Sequence, residues 1–176
     1  MKHKKPEPEP ETQLKNDTEI CQQLLSRYSA STAPQHRHLL ATAAALRSIL
    51  TAESLPLTPS AYFAAAINNL SDSKTLDSTA IAALLSFVSI VVPLIEEKGI
   101  KDAKVKEAVA VLVEVAVERE GVGVGSLGCV VKCLGVMILG FCDLEEWDSV
   151  KAGFESLIKF SVDKRPKVVP FFLIVK

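Results

Sequence analysis

Two periodicities compete between residues 102 and 120, and the choice between them decides the fold class. Val109, Val111, Val113, Val115 and Val117 alternate strictly, as on a half-buried strand. Lys104, Glu107, Glu114 and Glu118 instead fall on a 3-4-3-4 ladder, with Val111 at the remaining step. That ladder is one stripe of an α-helix. In a strand, Glu107 would share a face with the valines while Glu114 and Glu118 pointed the other way. A helix gathers the charges on one side, and helix is the reading adopted.

The next segment, GVGVGSLG (121–128), inherits that decision. Gly123, Gly125 and Gly128 spell G-x-G-x-x-G, with Glu145 and Glu146 further on, outwardly the layout of a dinucleotide site. Such a site needs its first glycine at the end of a strand, so that backbone amides and a helix N-terminus face the pyrophosphate. Here a helix precedes it, and Glu118, Arg119 and Glu120 place two carboxylates where the phosphates would lie. Gly121 to Gly125 therefore read as an interhelical turn. Gly128 and Gly135, seven apart on one face, read as small residues that let a neighbouring helix approach.

Helix punctuation recurs along the chain. Asp17 or Thr18 can cap a helix whose Ile20, Leu24 and Tyr28 recur every four residues. Pro34 fits the first turn of the next helix, where Leu39, Ala43, Leu46, Ile49 and Leu50 line one side. Thr58-Pro59 repeats the cap-then-proline opening before the stripe Phe63, Ile67, Leu70. A helix from about Thr79 is apolar almost all round and is expected to run through Pro93 to a C-cap at Gly99. Asp143-x-x-Glu146 resembles a capping box opening the stripe Trp147, Val150, Phe154, Leu157. Seven or so helices joined by short turns make either a closed bundle or an α-solenoid of stacked pairs.

Composition narrows the function classes. The 176 residues carry 20 basic and 21 acidic side chains, so no whole-chain field favours nucleic acid or anionic membrane, and any such contact must be a local patch. MKHKKPEPEPETQ (1–13) is polar and proline-rich, unlike a secretory leader, which points to the nucleus or cytoplasm. Lys2, Lys4 and Lys5 fit a short nuclear-import signal, although a solvated disordered tail is the preferred reading. The apolar run at 80–95 is shorter than the roughly 20 residues a bilayer span needs, and that at 127–142 carries Lys132 at its middle. Cys129, Cys133 and Cys142 lie near one another in sequence while His3, His36 and His38 lie far off. Buried free thiols are expected rather than zinc.

Two short strings then point to a family. IKDAKVKEAV (100–109) sets Asp102, Val105, Lys106 and Ala108 in the pattern D-x-x-V-[KR]-x-A, and FSVDKRPKVV (160–169) repeats a related order at Asp163, Pro166 and Val168. Both resemble the start of the second helix of a HEAT repeat. LGFCDLEEWDSVKAGFESLIKFSVDKRPKV (139–168) resembles a segment near the N-terminus of the plant ribosomal RNA processing protein 12-like family, and LTPSAYFAAAINNL (57–70) is similar to an earlier stretch of it. The resemblance runs from about residue 17 to 168.

It implies an all-α fold of antiparallel helix pairs stacked as a HEAT/ARM-like α-solenoid fragment. It also implies a non-enzymatic scaffold of ribosome biogenesis in the nucleus and nucleolus. Its partners would be pre-ribosomal proteins, pre-rRNA and nuclear transport factors, with no cofactor, small-molecule substrate or membrane. The expected division is a charged, proline-rich tail at 1–16, helical repeats at 17–168 and a divergent apolar tail at 169–176. In that last part Val169 stands where the family has a basic residue and Pro170 interrupts the helix, so a shortened family member is expected. The alternative class is a stand-alone helical adaptor that binds a partner protein.

Candidate functional residues are few. Lys164, Arg165 and Lys167 form a compact basic turn with Lys159 one helical turn back, a set suited to phosphate contact. A solvated interhelical loop explains the same residues. Glu145, Glu146 and Asp148 read as a helix N-terminus stabilised by the macrodipole, and His36 and His38 as surface residues, so no catalytic set is assigned.

Overall fold

Helix boundaries follow from where the chain supplies a partner for the first unpaired amides and a proline where no amide is needed. The computed structural model describes residues 19–72, 76–96, 98–118, 122–142 and 147–161. Helix α1 (Ile20–Tyr28) opens at Glu19, whose side chain accepts a hydrogen bond from the Cys21 amide. The expected cap, Asp17 or Thr18, lies outside the described residues, and the glutamate takes the role because the fold holds its carboxylate there. Helix α2 (Pro34–Ala52) starts on Pro34. Helix α3 (Pro59–Ser71) starts on Pro59, with Thr58 Oγ1 accepting from the Ala61 amide at 3.3 Å. Asp77 caps α4 (Ser78–Val91) through a 2.7 Å bond from the Ala80 amide.

Helix α4 ends earlier than the sequence suggested. The proline has no N–H and its ring crowds the preceding turn, so the chain tightens into a 3₁₀ turn over Val92–Leu94. Gly99 is not a helix C-cap; its amide donates to Glu96 O at 2.7 Å in a separate turn. A Cβ there would sit 2.9 Å from Ile95 Cγ2 and 3.0 Å from Glu96 O, so that turn requires glycine.

Residues 102–118 are helical as expected, forming α5 (Asp102–Glu118). The exposed stripe runs through Glu107, Ala110, Glu114 and Val117, one position away from the expected ladder at Val111, which is buried. Gly123 precedes α6 (Val124–Gly140), so the glycine motif joins two helices. Gly128 and Gly135 are both buried in α6. Helix α7 (Trp147–Ser161) completes the set of seven α-helices among the described residues.

The helices form two layers. In one, α3 packs on α5 and α5 on α7; in the other, α2 packs on α4 and α4 on α6. Within and between pairs α1 meets α2, α2 meets α3, α3 meets α4, α5 meets α6 and α6 meets α7. Stacking each element on the next but one is the arrangement of an α-solenoid. It explains why α4 and α6 are apolar nearly all round: each has a neighbour on both sides in its own layer or across it. Tyr62, Phe63, Phe87, Leu85, Leu112, Leu127, Leu134 and Met137 are fully enclosed between the layers. Each large apolar side chain buried this way contributes roughly 1.5–3 kcal/mol.

The stripe of α3 is buried as expected, that of α1 is buried at Ile20 and Leu24 with Tyr28 half-buried, and that of α2 is buried except for Ile49, which is 37% exposed. Helix α7 differs. It buries Gly153, Ser156 and Phe160, while Phe154 of the expected stripe is 42% exposed; the side chains of Trp147 and Val150 lie outside the description. A Cβ on Gly153 would lie 3.0 Å from Val109 Cγ1 and 3.3 Å from Ile138 Cδ1. The close approach of α7 to α5 and α6 thus selects the small-residue face. Ser156 tolerates burial because its hydroxyl donates to Ala152 O at 2.8 Å.

Candidate functional site

The residues expected to contact phosphate are placed only in part. Lys159 is exposed near the end of α7, on the side that also carries Lys151 and Glu155. Lys164, Arg165 and Lys167 lie outside the described residues, as do Glu145 and Glu146. His36 is half-buried, with Nδ1 2.7 Å from Ser31 Oγ and its ring stacked on Tyr28 at 4.2 Å between centroids. That contact closes the α1–α2 turn. Cys21, Cys129, Cys133 and Cys142 are free thiols. Complete burial of Cys133 pushes its thiol far above the ordinary value, with Cys129 adding to the shift. No group of three or more metal-ligating side chains gathers among the described residues. Nor is any helix among them long and apolar enough to cross a membrane.

The feature the sequence did not announce is a trough of about 800 Å³ between the end of α2, the outer face of α3 and the start of α5. Its floor is small: Ala61, Ala64 and Ala65. Ile49, Leu55 and Ile100 wall it, and Ile49 and Leu55 are among the exposed large apolar residues. Glu53, Lys101 and Lys104 supply its charges. Lys104 Nζ donates to Asn68 Oδ1 and lies 2.9 Å from Glu107 Oε1, which ties α5 to α3 along one lip.

The local chain makes that shape for a specific reason. After Ala52 the helix ends with Ser54 at φ 56°, while the Ser54 amide donates to Thr51 O at 3.1 Å and the Leu55 amide to Leu50 O at 2.8 Å. This is a Schellman closure with serine in the left-handed position. It turns the chain so that Leu55 and Pro56 stand over α3 rather than continuing away from it. Lining residues come from three segments distant in sequence, so no motif could have gathered them. The one local signal was apolar Leu55 and Leu57 on either side of Pro56 in a turn.

The HEAT-like pattern at 102–108 falls on the first two turns of α5. Asp102 begins α5, Val105 packs inward, and Asp102 and Lys106 lie near enough to Cys142, beyond α6, to act electrostatically on its thiol. No curated protein and no solved structure matches the chain. The family model described as RRP12-like, N-terminal HEAT repeats, matches residues 6–169. With nearly the whole chain aligned to that model, and with helices stacked in two layers as such repeats require, this protein belongs to the RRP12-like family through its N-terminal HEAT repeats.

Proposed function

We propose that the chain is a non-enzymatic scaffold of ribosome biogenesis, serving pre-rRNA processing and pre-ribosome export in the nucleus and nucleolus. Family membership across residues 6–169 carries this reading. The two-layer stack supports it, because each added helix pair extends a continuous side surface for partners. Pre-ribosomal proteins bind that surface, nuclear transport factors engage the assembled particle, and pre-rRNA phosphates meet Lys159, Lys164, Arg165 and Lys167.

Affinity capture of the tagged chain from plant cell extract, with and without RNase, tests the proposal. Small-subunit pre-rRNA with its assembly factors, lost on RNase treatment, is the expected outcome; chaperones alone, or nothing, would overturn it. Direct contact with RNA is read separately, from the salt dependence of binding to a single-stranded fragment. Each phosphate contact adds about 0.7 to the log–log slope, so replacing the four basic residues by glutamine flattens it.

The trough favours a second reading, a stand-alone helical adaptor for a protein partner. That reading expects the same partner protein to be captured whether or not RNase is added.

A further inference from the structure

The trough between α2, α3 and α5 is open, and α3 lines it with Ala61, Ala64 and Ala65 beside Ser60, Asn68 and Asn69, while Ile49, Leu55 and Ile100 line it from the flanking segments. A floor without large side chains admits a flat, extended chain better than a helix, whose diameter is about 10 Å. The charged lining residues are Lys101 and Lys104 against Glu53, with Lys104 also paired to Glu107 at the lip. Apolar walls with basic groups at one lip suit an extended segment that alternates apolar and acidic residues.

Such a segment lies in this chain. Residues 6–14 read PEPEPETQL. Pro6, Pro8 and Pro10 alternate with Glu7, Glu9 and Glu11, so in the three-residue-per-turn extended helix that proline favours, rings and carboxylates both face any surface the segment lies along. Proline brings no N–H to be left unpaired against the apolar floor. It also keeps the chain extended beforehand, so less entropy is lost on docking. The path is short as well. The segment joins the fold at Glu19, which is tied to Tyr62 on α3 and faces Arg47 on α2. Ala61, next to Tyr62, lines the trough. From Glu19 back to Glu11 an extended chain spans about 25 Å, enough to pass over one helix.

We propose that this trough is a docking site for an extended acidic, proline-alternating segment, and that residues 6–14 of the same chain occupy it. The carboxylates of Glu7, Glu9 and Glu11 meet Lys101 and Lys104, and the proline rings lie between Leu55 and Ile100. An external partner with the same alternation must displace the tail before it binds. The proposal does not depend on the ribosomal role, because it rests on the trough and the tail alone.

Zero-length carbodiimide coupling of the full chain at low concentration, followed by peptide mass mapping, tests it. The expected result is amide links within one chain from Glu7, Glu9 or Glu11 to Lys101 or Lys104. They should fall several-fold in Leu55→Asp, a change at an exposed position that leaves the helical circular dichroism unaltered. They should fall likewise at about 1 M salt, where the screening length shrinks to about 3 Å. Links spread equally over Lys132, Lys151 and Lys159, or links indifferent to Leu55→Asp, would overturn the proposal. So would links found only between nitrogen-15-labelled and unlabelled copies, which would make a second copy the occupant.

Discussion

The Tyr62 hydroxyl on α3 donates a hydrogen bond to Oε1 of Glu19, the residue that caps α1, across 43 positions of sequence. The same carboxylate accepts from the Cys21 amide at 3.1 Å, and its Oε2 lies 3.6 Å from Arg47 Nε on α2. One acidic side chain therefore ties together the first three helices. Tyr62 itself is fully enclosed and stacks on Phe87 with centroids 5.8 Å apart.

Replacing Tyr62 by phenylalanine keeps the ring and removes only the donor. A largely buried carboxylate oxygen then loses a partner, so Tyr62→Phe is expected to destabilise the fold by about 1–3 kcal/mol. Urea unfolding measures this, and a double-mutant cycle with Glu19→Ala should give a coupling of about 1 kcal/mol or more. Strictly additive effects would mean that the bond contributes nothing to stability.

Gly153 fixes how closely α7 approaches α5 and α6. In Gly153→Ala the new methyl meets Val109 Cγ1 at 3.0 Å, and the stiff β-branched valine cannot easily turn aside. Overpacking of about 1–3 kcal/mol outweighs the gain in helix propensity of up to about 1 kcal/mol, so the melting temperature should fall. In a Val109→Ala background the nearest obstruction is gone, and what remains is Ile138 Cδ1 at 3.3 Å, the movable end of a side chain. There the same substitution should stabilise the protein relative to Val109→Ala alone.

Cys133 makes stability depend on pH on the alkaline side. Its thiol is raised well above the ordinary value of 9.0 by burial, so in the folded chain it stays protonated where the unfolded chain has ionised. The unfolded state then binds fewer protons, and stability is complete below about pH 9 and falls as pH rises beyond it. One such group gives a slope of about 1.4 kcal/mol per pH unit. Cys133→Ala should reduce the slope by about half that amount at about pH 9 and by nearly all of it by about pH 10.5, at the cost of a small cavity; an unchanged slope would count against the buried thiol as its source.

Ser54 adopts a left-handed backbone with φ 56°, a conformation that glycine takes without the Cβ penalty. Ser54→Gly should therefore stabilise the chain by about 0.5–1 kcal/mol in thermal or urea unfolding. Ser54→Val should cost more than the glycine gains, because a β-branched residue is a poor fit at positive φ.

Much of this was legible in the chain itself. Thr58-Pro59 and Pro34 set the starts of α3 and α2, the charges at 107 and 114 decided helix over strand for α5, and Ile20 with Leu24 named the buried side of α1. These are local matters, settled by backbone amides and by side chains within a turn or two of one another. Tertiary contact decided which face each helix turns inward when its pattern allowed two. Helix α7 presents Gly153 and Ser156 to the interior because close backbone approach outweighed burying Phe154, and Val111 rather than Ala110 is buried in α5. It also made Glu19 a cap, since Tyr62 and Arg47 reach it only once α2 and α3 are stacked. The trough belongs to the same class, because an apolar concavity shared by Ile49, Ala64 and Ile100 exists only where three helices meet. Sequence by itself determined the helices and the family; packing determined the surface they jointly offer.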